Sequence, residues 1–210
     1  MGGRDVVIMN ASKSGRALLV VDVQNDFCPG GALGIRDGDR IIPALNRYIE
    51  YFAREGSPVI ATRDWHPEIT RHFQQFGGVW PVHCVQESPG ARFHPLLKLL
   101  DGVLVLSKGM DPVEDSYSAF QATDSSGMLL GNLLESLGVK RVYIGGLATD
   151  YCVKYSALDA IKMGLDAYIL NDAIAGVNLL PEDSSHAMEE MVRSGAKKMH
   201  LQNFLLMGVR

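Results

Sequence analysis

The sequence predicts a three-layer α/β fold: a six-stranded, mostly parallel sheet with helices on both faces. Two observations predict it. Short, continuous apolar runs rich in β-branched residues recur along the chain, as strands buried on both faces require. Stretches with helical spacing separate these runs, which is the alternation of βαβ units and a parallel sheet. The chain has 210 residues, enough for one domain with a sizeable core. It carries no internal repeat, low-complexity segment or interdomain linker, so residues 16–210 read as a single domain behind an N-terminal tail, 1–15.

The elements follow in order. The run ALLVVDV, 17–23, is the first strand, and a Gly-rich loop, CPGGALGIRDGD, follows it. Residues 40–56 place Ile41, Ile42, Leu45, Tyr48, Ile49 and Phe52 on one helical face, with Gly56 as the stop and Pro58 beyond it. PVIATRD, 58–64, is the second strand. Residues 65–92 have no period and are rich in His, Gly, Pro and aromatics; a loop of that length inside a compact domain is usually functional. FHPLLKLL, 93–100, reads as a short helix and GVLVLSK, 102–108, as the third strand. A loop over 109–123 leads to a helix at 128–138 and a fourth strand, RVYIGG, 141–146. A helix over 150–164, a fifth strand over 166–173 and a helix over 181–195 come next. AKKMHLQ, 196–202, is the candidate sixth strand.

Composition excludes several classes of function. Lys plus Arg is 20 against 24 Asp plus Glu, and no basic run exceeds Lys197-Lys198, which argues against nucleic acid or an anionic membrane as partner. The longest apolar runs are too short to span a bilayer, and MGGRDVVIMNASKSGR does not read as a signal peptide. Three cysteines without a small disulfide framework point to a reducing, cytoplasmic setting. There is no G-x-G-x-x-G after the first strand and no P-loop, so a dinucleotide-binding or NTPase role is not expected. Composition leaves a homo-oligomer open.

The chemistry-bearing residues fall at strand ends. Strand one ends at Asp22, strand two at Asp64 and strand three at Lys108, and the helix after strand four opens near Cys152. In an open α/β sheet the carboxyl ends of the strands line one crevice, where ligands bind. Singly, Asp22 could cap a turn, Lys108 could be a solvated strand end and Cys152 a small buried hydrophobe. Together they deliver an acid, a base and a thiol to one rim. A helix start and a nearby lysine would both favour the thiolate of Cys152, while Cys28 and Cys84 read as structural.

A second cluster lies in the long loop. Asp64 and His66, two residues apart in extended chain, point the same way, and His83 can complete a set of two imidazoles and one carboxylate. That set suits one divalent transition metal ion, zinc first, with iron or manganese as alternatives. His72 is a candidate fourth contact and Glu68 a weaker one.

These residues lie in blocks that carry a resemblance. VVDVQNDFCPGGAL, TRDWHP, WPVHCV, FHPLL, SKG and GLATDYCV resemble the nicotinamidase branch of the isochorismatase-like cysteine hydrolases, over nearly the whole chain. The resemblance implies a six-stranded parallel sheet and the hydrolysis of nicotinamide to nicotinate and ammonia, a step that recycles the pyridine ring for NAD synthesis, with pyrazinamide as a second substrate. It implies that Asp22, Lys108 and Cys152 are the catalytic trio and that Asp64, His66 and His83 hold the metal. It also implies that Phe27 and Trp80 wall the ring pocket. A cis peptide between Leu147 and Ala148 is implied at the substrate, aiming the N–H groups of Ala148 and Cys152 at an oxyanion. The segment 73–79 and the insert 110–124 would control access to the pocket. The alternatives are a sister amidase acting on another small amide and, from a different class, a non-catalytic, metal-stabilised binding protein.

Overall fold

The computed structural model describes residues 15–207, so the tail assigned to 1–15 lies, but for Gly15, outside the described residues. Six strands form one sheet: β1 (Arg16–Val21), β2 (Val59–Asp64), β3 (Leu104–Lys108), β4 (Arg141–Leu147), β5 (Asp166–Ala175) and β6 (Lys197–Met199). Their order is β3-β2-β1-β4-β5-β6, and every neighbouring pair is parallel. The chain therefore winds outward from β1 in one direction and from β4 in the other, and the topological switch falls between β1 and β4.

Among the described residues, five α-helices cover the two faces: α1 (Ile42–Arg54), α2 (Leu130–Ser136), α3 (Lys154–Lys162), α4 (Asp183–Arg193) and α5 (Leu201–Met207). Alternation along β1 shows the division. Ala17, Leu19 and Val21 pack with apolar residues of α2, α3 and α4. Leu18 and Val20 point the other way and pack with α1 and α5. On α1, Leu45, Tyr48, Ile49 and Phe52 are completely buried, each aliphatic side chain adding about 2 kcal/mol of burial.

Two sequence expectations are corrected. Residues 93–100 form turns rather than a helix. The side chain of Asn46 takes both roles there, its Nδ2 donating to the Leu96 carbonyl at 2.8 Å and its Oδ1 accepting from the Lys98 N–H at 2.8 Å. These bonds replace the i→i−4 ladder, and Pro95 cannot donate to one. The sixth strand is only three residues long, and α5 follows it at once. The Leu201 N–H donates to Asp172 Oδ2 at 2.9 Å, which turns the chain into α5, and Phe204 then stacks on Phe52.

Two details position the site. Gly146 on β4 has φ +125°, and a Cβ there would stand 2.0 Å from the Val21 carbonyl oxygen. The glycine pair of VYIGG thus lets β4 press against β1 where a register shift between Ile144 and Gly146 breaks the pairing with β5. The next peptide, Leu147–Ala148, is cis.

Candidate active site

The first four strands in the sheet order each bring one side chain to the same edge. Lys108 ends β3, Asp64 ends β2 as its direct cross-strand neighbour, Asp22 follows β1, and Cys152 follows β4. Asp22 has φ +48°, so the chain turns sharply out of β1 and the carboxylate enters the rim. Cys152 does not open an ordinary α-helix. It lies in a π turn, Thr149–Val153, that precedes α3, with the N–H groups of Tyr151 and Val153 both donating to the Ala148 carbonyl. Beneath it, Ser156 Oγ donates to the Cys152 carbonyl at 2.5 Å and accepts from the Ala119 N–H at 2.8 Å.

Lys108 is the hub. Its Nζ lies 2.9 Å from Asp22 Oδ2 and 3.5 Å from Cys152 Sγ, donates to the Ser116 carbonyl at 3.0 Å, and pairs with Asp64 Oδ1. Lys108, Asp22, Asp64 and Cys152 are all buried. Thr62 Oγ1 donates to Asp22 Oδ1 at 2.7 Å, which leaves Oδ2 facing the lysine and the thiol. A carboxylate oxygen of Asp22, one of Asp64 and the sulfur of Cys152 lie within 4.8 Å of one another. The space among them already holds an ammonium, so this trio is not a metal site.

Burial pushes the Asp22 carboxyl up, as does Asp64, against Lys108 and the Thr62 hydrogen bond. Burial would also raise Asp64, but Lys108, His66 and His83 bring it well below the usual carboxylate range. Lys108 is held charged by the two carboxylates despite its burial. Burial pushes the Cys152 thiol well up and the carboxylates add to it, against Lys108. The resting site therefore presents a neutral thiol to a base, not the stabilised thiolate that a helix start suggests. Cys28 and Cys84 are buried and free, burial pushing Cys28 up to about 11 and Cys84 well up, as befits structural thiols.

The histidines gather beside this rim. Ring nitrogens of His66, His72 and His83 lie within 4.8 Å of one another, and Asp64 Oδ2 is 3.7 Å from His66 Nε2. His72, a secondary candidate in the sequence, thus stands with the two imidazoles; Glu68 is exposed and apart. The donor chemistry fits a metal. Both ring nitrogens of His66 are buried without a hydrogen-bond partner. His83 Nδ1 meets the Pro81 carbonyl at 2.7 Å and His72 Nδ1 meets Asp115 Oδ1 at 2.5 Å, so both present Nε2 as the free donor. Burial pushes His83 down to about 4, which keeps it in the neutral, ligating form. Gly109, with φ +69°, packs on the His66 ring so closely that a Cβ would meet it at 2.5 Å.

A pocket opens onto Cys152, Ala148, Asp64, His72 and His83. Phe27 and Trp80 line it together with Tyr117 and Tyr151, the last two of which sequence reasoning missed. Trp80 Nε1 donates to the Tyr117 hydroxyl at 2.9 Å, and the Trp80 and Tyr151 rings meet edge-on. Their signal was faint: Tyr151 adjoins the candidate nucleophile, and Tyr117 sits in a long loop between assigned elements. Leu147 is fully buried in the core and is not among the pocket's lining residues, whereas its neighbour Ala148 is.

Known proteins resemble the chain over most of its length. The Isochorismatase domain profile matches residues 16–202. The chain is 42% identical over 202 residues to a nicotinamidase of Escherichia coli, covering 86% of this chain and 92% of the relative. It is similar to a solved pyrazinamidase of Pyrococcus horikoshii in complex with zinc, with a TM-score of 0.82 and 47% identity over 89% of this chain and 99% of the other. PnC1 from L. infantum, solved in complex with nicotinate, superposes with a TM-score of 0.81 at 34% identity, covering 92% and 96% of the two chains.

Proposed function

The chain belongs to the isochorismatase family, and from that premise we propose that it is a metal-containing cysteine amidohydrolase that converts nicotinamide and water to nicotinate and ammonia. The observation that carries the reading is the buried Lys108, shared by Asp22 and Cys152, at the end of an aromatic-walled pocket next to three histidines. The reaction would return the pyridine ring to NAD synthesis, and pyrazinamide would be a second substrate.

In the proposed mechanism Asp22 Oδ2 takes the thiol proton as Cys152 Sγ attacks the carboxamide carbon. The oxyanion rests on the backbone N–H groups of Ala148 and Cys152, each worth on the order of 10²-fold or more in rate. The C–N bond then breaks, protonated Asp22 gives its proton to the departing ammonia, and a thioester remains on Cys152. Water, activated by the same carboxylate, hydrolyses it to nicotinate and restores the thiol. Lys108 stays charged throughout and keeps Asp22 aimed at the sulfur. Phe27, Trp80, Tyr117 and Tyr151 hold the ring and exclude water.

Asp64, His66, His72 and His83 would hold one divalent ion, with zinc favoured by three imidazoles and one carboxylate. When bound, the ion supplies a Lewis-acid contact for the in-plane lone pair of the ring nitrogen and so orients the ring. The three free thiols suit a reducing cytoplasm.

The test is ammonia release from nicotinamide by the purified, zinc-loaded enzyme, with nicotinate as the matching product. Cys152→Ala should lower kcat by on the order of 10⁴-fold or more with the fold retained. Near-normal turnover by this variant would refute the thiol mechanism. Turnover of some other small amide with none of nicotinamide would reassign the protein to a sister amidase.

A further inference from the structure

Three consecutive residues in the insert between β3 and α2 touch three different parts of the site. Asp115 Oδ1 meets His72 Nδ1 at 2.5 Å. The Ser116 carbonyl accepts from Lys108 Nζ at 3.0 Å. The Tyr117 hydroxyl accepts from Trp80 Nε1 at 2.9 Å. The segment is itself anchored, because Gln121 Nε2 donates to the Asp115 carbonyl at 3.2 Å, and Ser118 and Gln121 close a reciprocal capping box around the one-turn helix Ala119–Gln121.

The Asp115 contact is chemically distinct from the other two. The side chain of Asp115 is 56% exposed while that of His72 is 6% exposed, so a solvated carboxylate reaches in to a buried imidazole. An acceptor on Nδ1 fixes the tautomer that leaves Nε2 bare, turns the ring toward its neighbours and makes Nε2 a stronger donor. His83 has the same service from a backbone carbonyl, and His66 has none. Asp115 is therefore the one side chain among the described residues that orients an imidazole of the trio from outside the ligand set.

We propose that Asp115 is a positioning residue of the metal centre: by holding His72 Nδ1 it sets how tightly the ion is retained, and its strap, 115–117, anchors the metal site, Lys108 and Trp80 together. The proposal rests on the metal reading above. Loss of the contact would free the His72 ring and slacken the strap at its outer end, while Lys108 keeps both of its carboxylates and Asp22 keeps Thr62. The deficit should fall on metal retention first and on chemistry only through it.

The experiment is zinc titration by competition with a chromogenic chelator, on the full chain stripped of metal, for the wild type, Asp115→Ala, Asp115→Glu and, as a control for charge alone, Glu114→Gln. Asp115→Ala should weaken zinc binding by about 10- to 100-fold. Asp115→Glu should recover most of that loss, and Glu114→Gln should match the wild type. At saturating zinc, Asp115→Ala should regain most of its kcat. A purely structural role would lower the thermal midpoint and leave the zinc Kd alone. A zinc Kd for Asp115→Ala within about twofold of the wild type therefore overturns the inference. Failure of the wild type itself to bind zinc overturns the metal reading instead, so the two failures are told apart.

Discussion

The role proposed for Asp22 and its surroundings pull its ionisation in opposite directions. As the proposed base it must be charged, yet burial and the neighbouring Asp64 push its carboxyl up from its ordinary value of 3.8. The value of kcat/KM should therefore fall as pH drops through a point above the ordinary carboxylate range. The effect on folding has the opposite sign. The folded state holds that proton more tightly than the unfolded chain does, so the stability this group contributes is present at low pH and lost as pH rises through the raised value. The acid limb of activity should thus appear while the far-ultraviolet dichroism is unchanged. A limb that coincides with unfolding would remove Asp22 as the titrating base. Lys108, Asp22 and Cys152 also act on one another directly, so Asp22→Asn and Lys108→Met should each cost on the order of 10²–10⁴-fold in kcat. The double variant should lose far less than the product of the single losses; multiplicative losses would mean the two do not share a transition state. Asp22, Asp64, Lys108 and Cys152 were legible in the sequence because each is a polar residue ending an apolar run or opening the next element. Asp115 and Tyr117 were not, because their roles come from long-range contacts made by a loop with no periodicity.

The strands were legible for a related reason. A parallel strand covered on both faces must be apolar at nearly every position, and that pattern survives without knowledge of the neighbours. Helix α1 was legible from its spacing, whereas α5 is only seven residues long and, among the described residues, buries only Leu201 and Phe204, with Leu205 partly buried beside them. The apparent helix at 93–100 failed because Asn46, on a different element, captures its backbone groups. The π turn at Thr149–Val153 leaves no composition signature, yet it places Cys152 beside Lys108. Its geometry depends on the close approach of β4 to β1. Gly146→Ala would force a Cβ to 2.0 Å from the Val21 carbonyl at φ +125°, where neither backbone can yield without breaking the pairing. We expect a loss of about 3 kcal/mol or more, read as a lower urea midpoint, together with loss of kcat. At Gly145, the nearest atom to an added Cβ is 3.0 Å away and φ is not positive, so Gly145→Ala should be the milder change. Equal stability of the Gly146 variant and the wild type would show that the approach is not needed.

Across the whole molecule, two clusters share one carboxylate. Asp64 pairs with Lys108 on the thiol side and stands 3.7 Å from His66 Nε2 on the other, so the sheet edge places a thiol and a metal-fitting site at the same pocket. A thiol with its own base has no need of a second nucleophile, which argues that the histidine side serves recognition. Nicotinamide and benzamide differ by one ring nitrogen, and the aromatic walls would contact both rings alike. Discrimination must then come from the end of the pocket where His72 and His83 lie. Polar sites reject analogues that leave them unpaired, here by an expected 10²-fold to on the order of 10⁴-fold in kcat/KM. Pyrazinamide keeps a nitrogen at the equivalent position and should remain a substrate. His66→Ala, or removal of the ion by chelation, should raise KM for nicotinamide and erase its advantage over benzamide, with loss of kcat where the ring is mispositioned. The measurement is kcat/KM for the three amides with and without metal. Comparable values for benzamide and nicotinamide in the zinc-loaded enzyme would mean that the histidines serve folding or charge balance and that the aromatic walls alone select the ring.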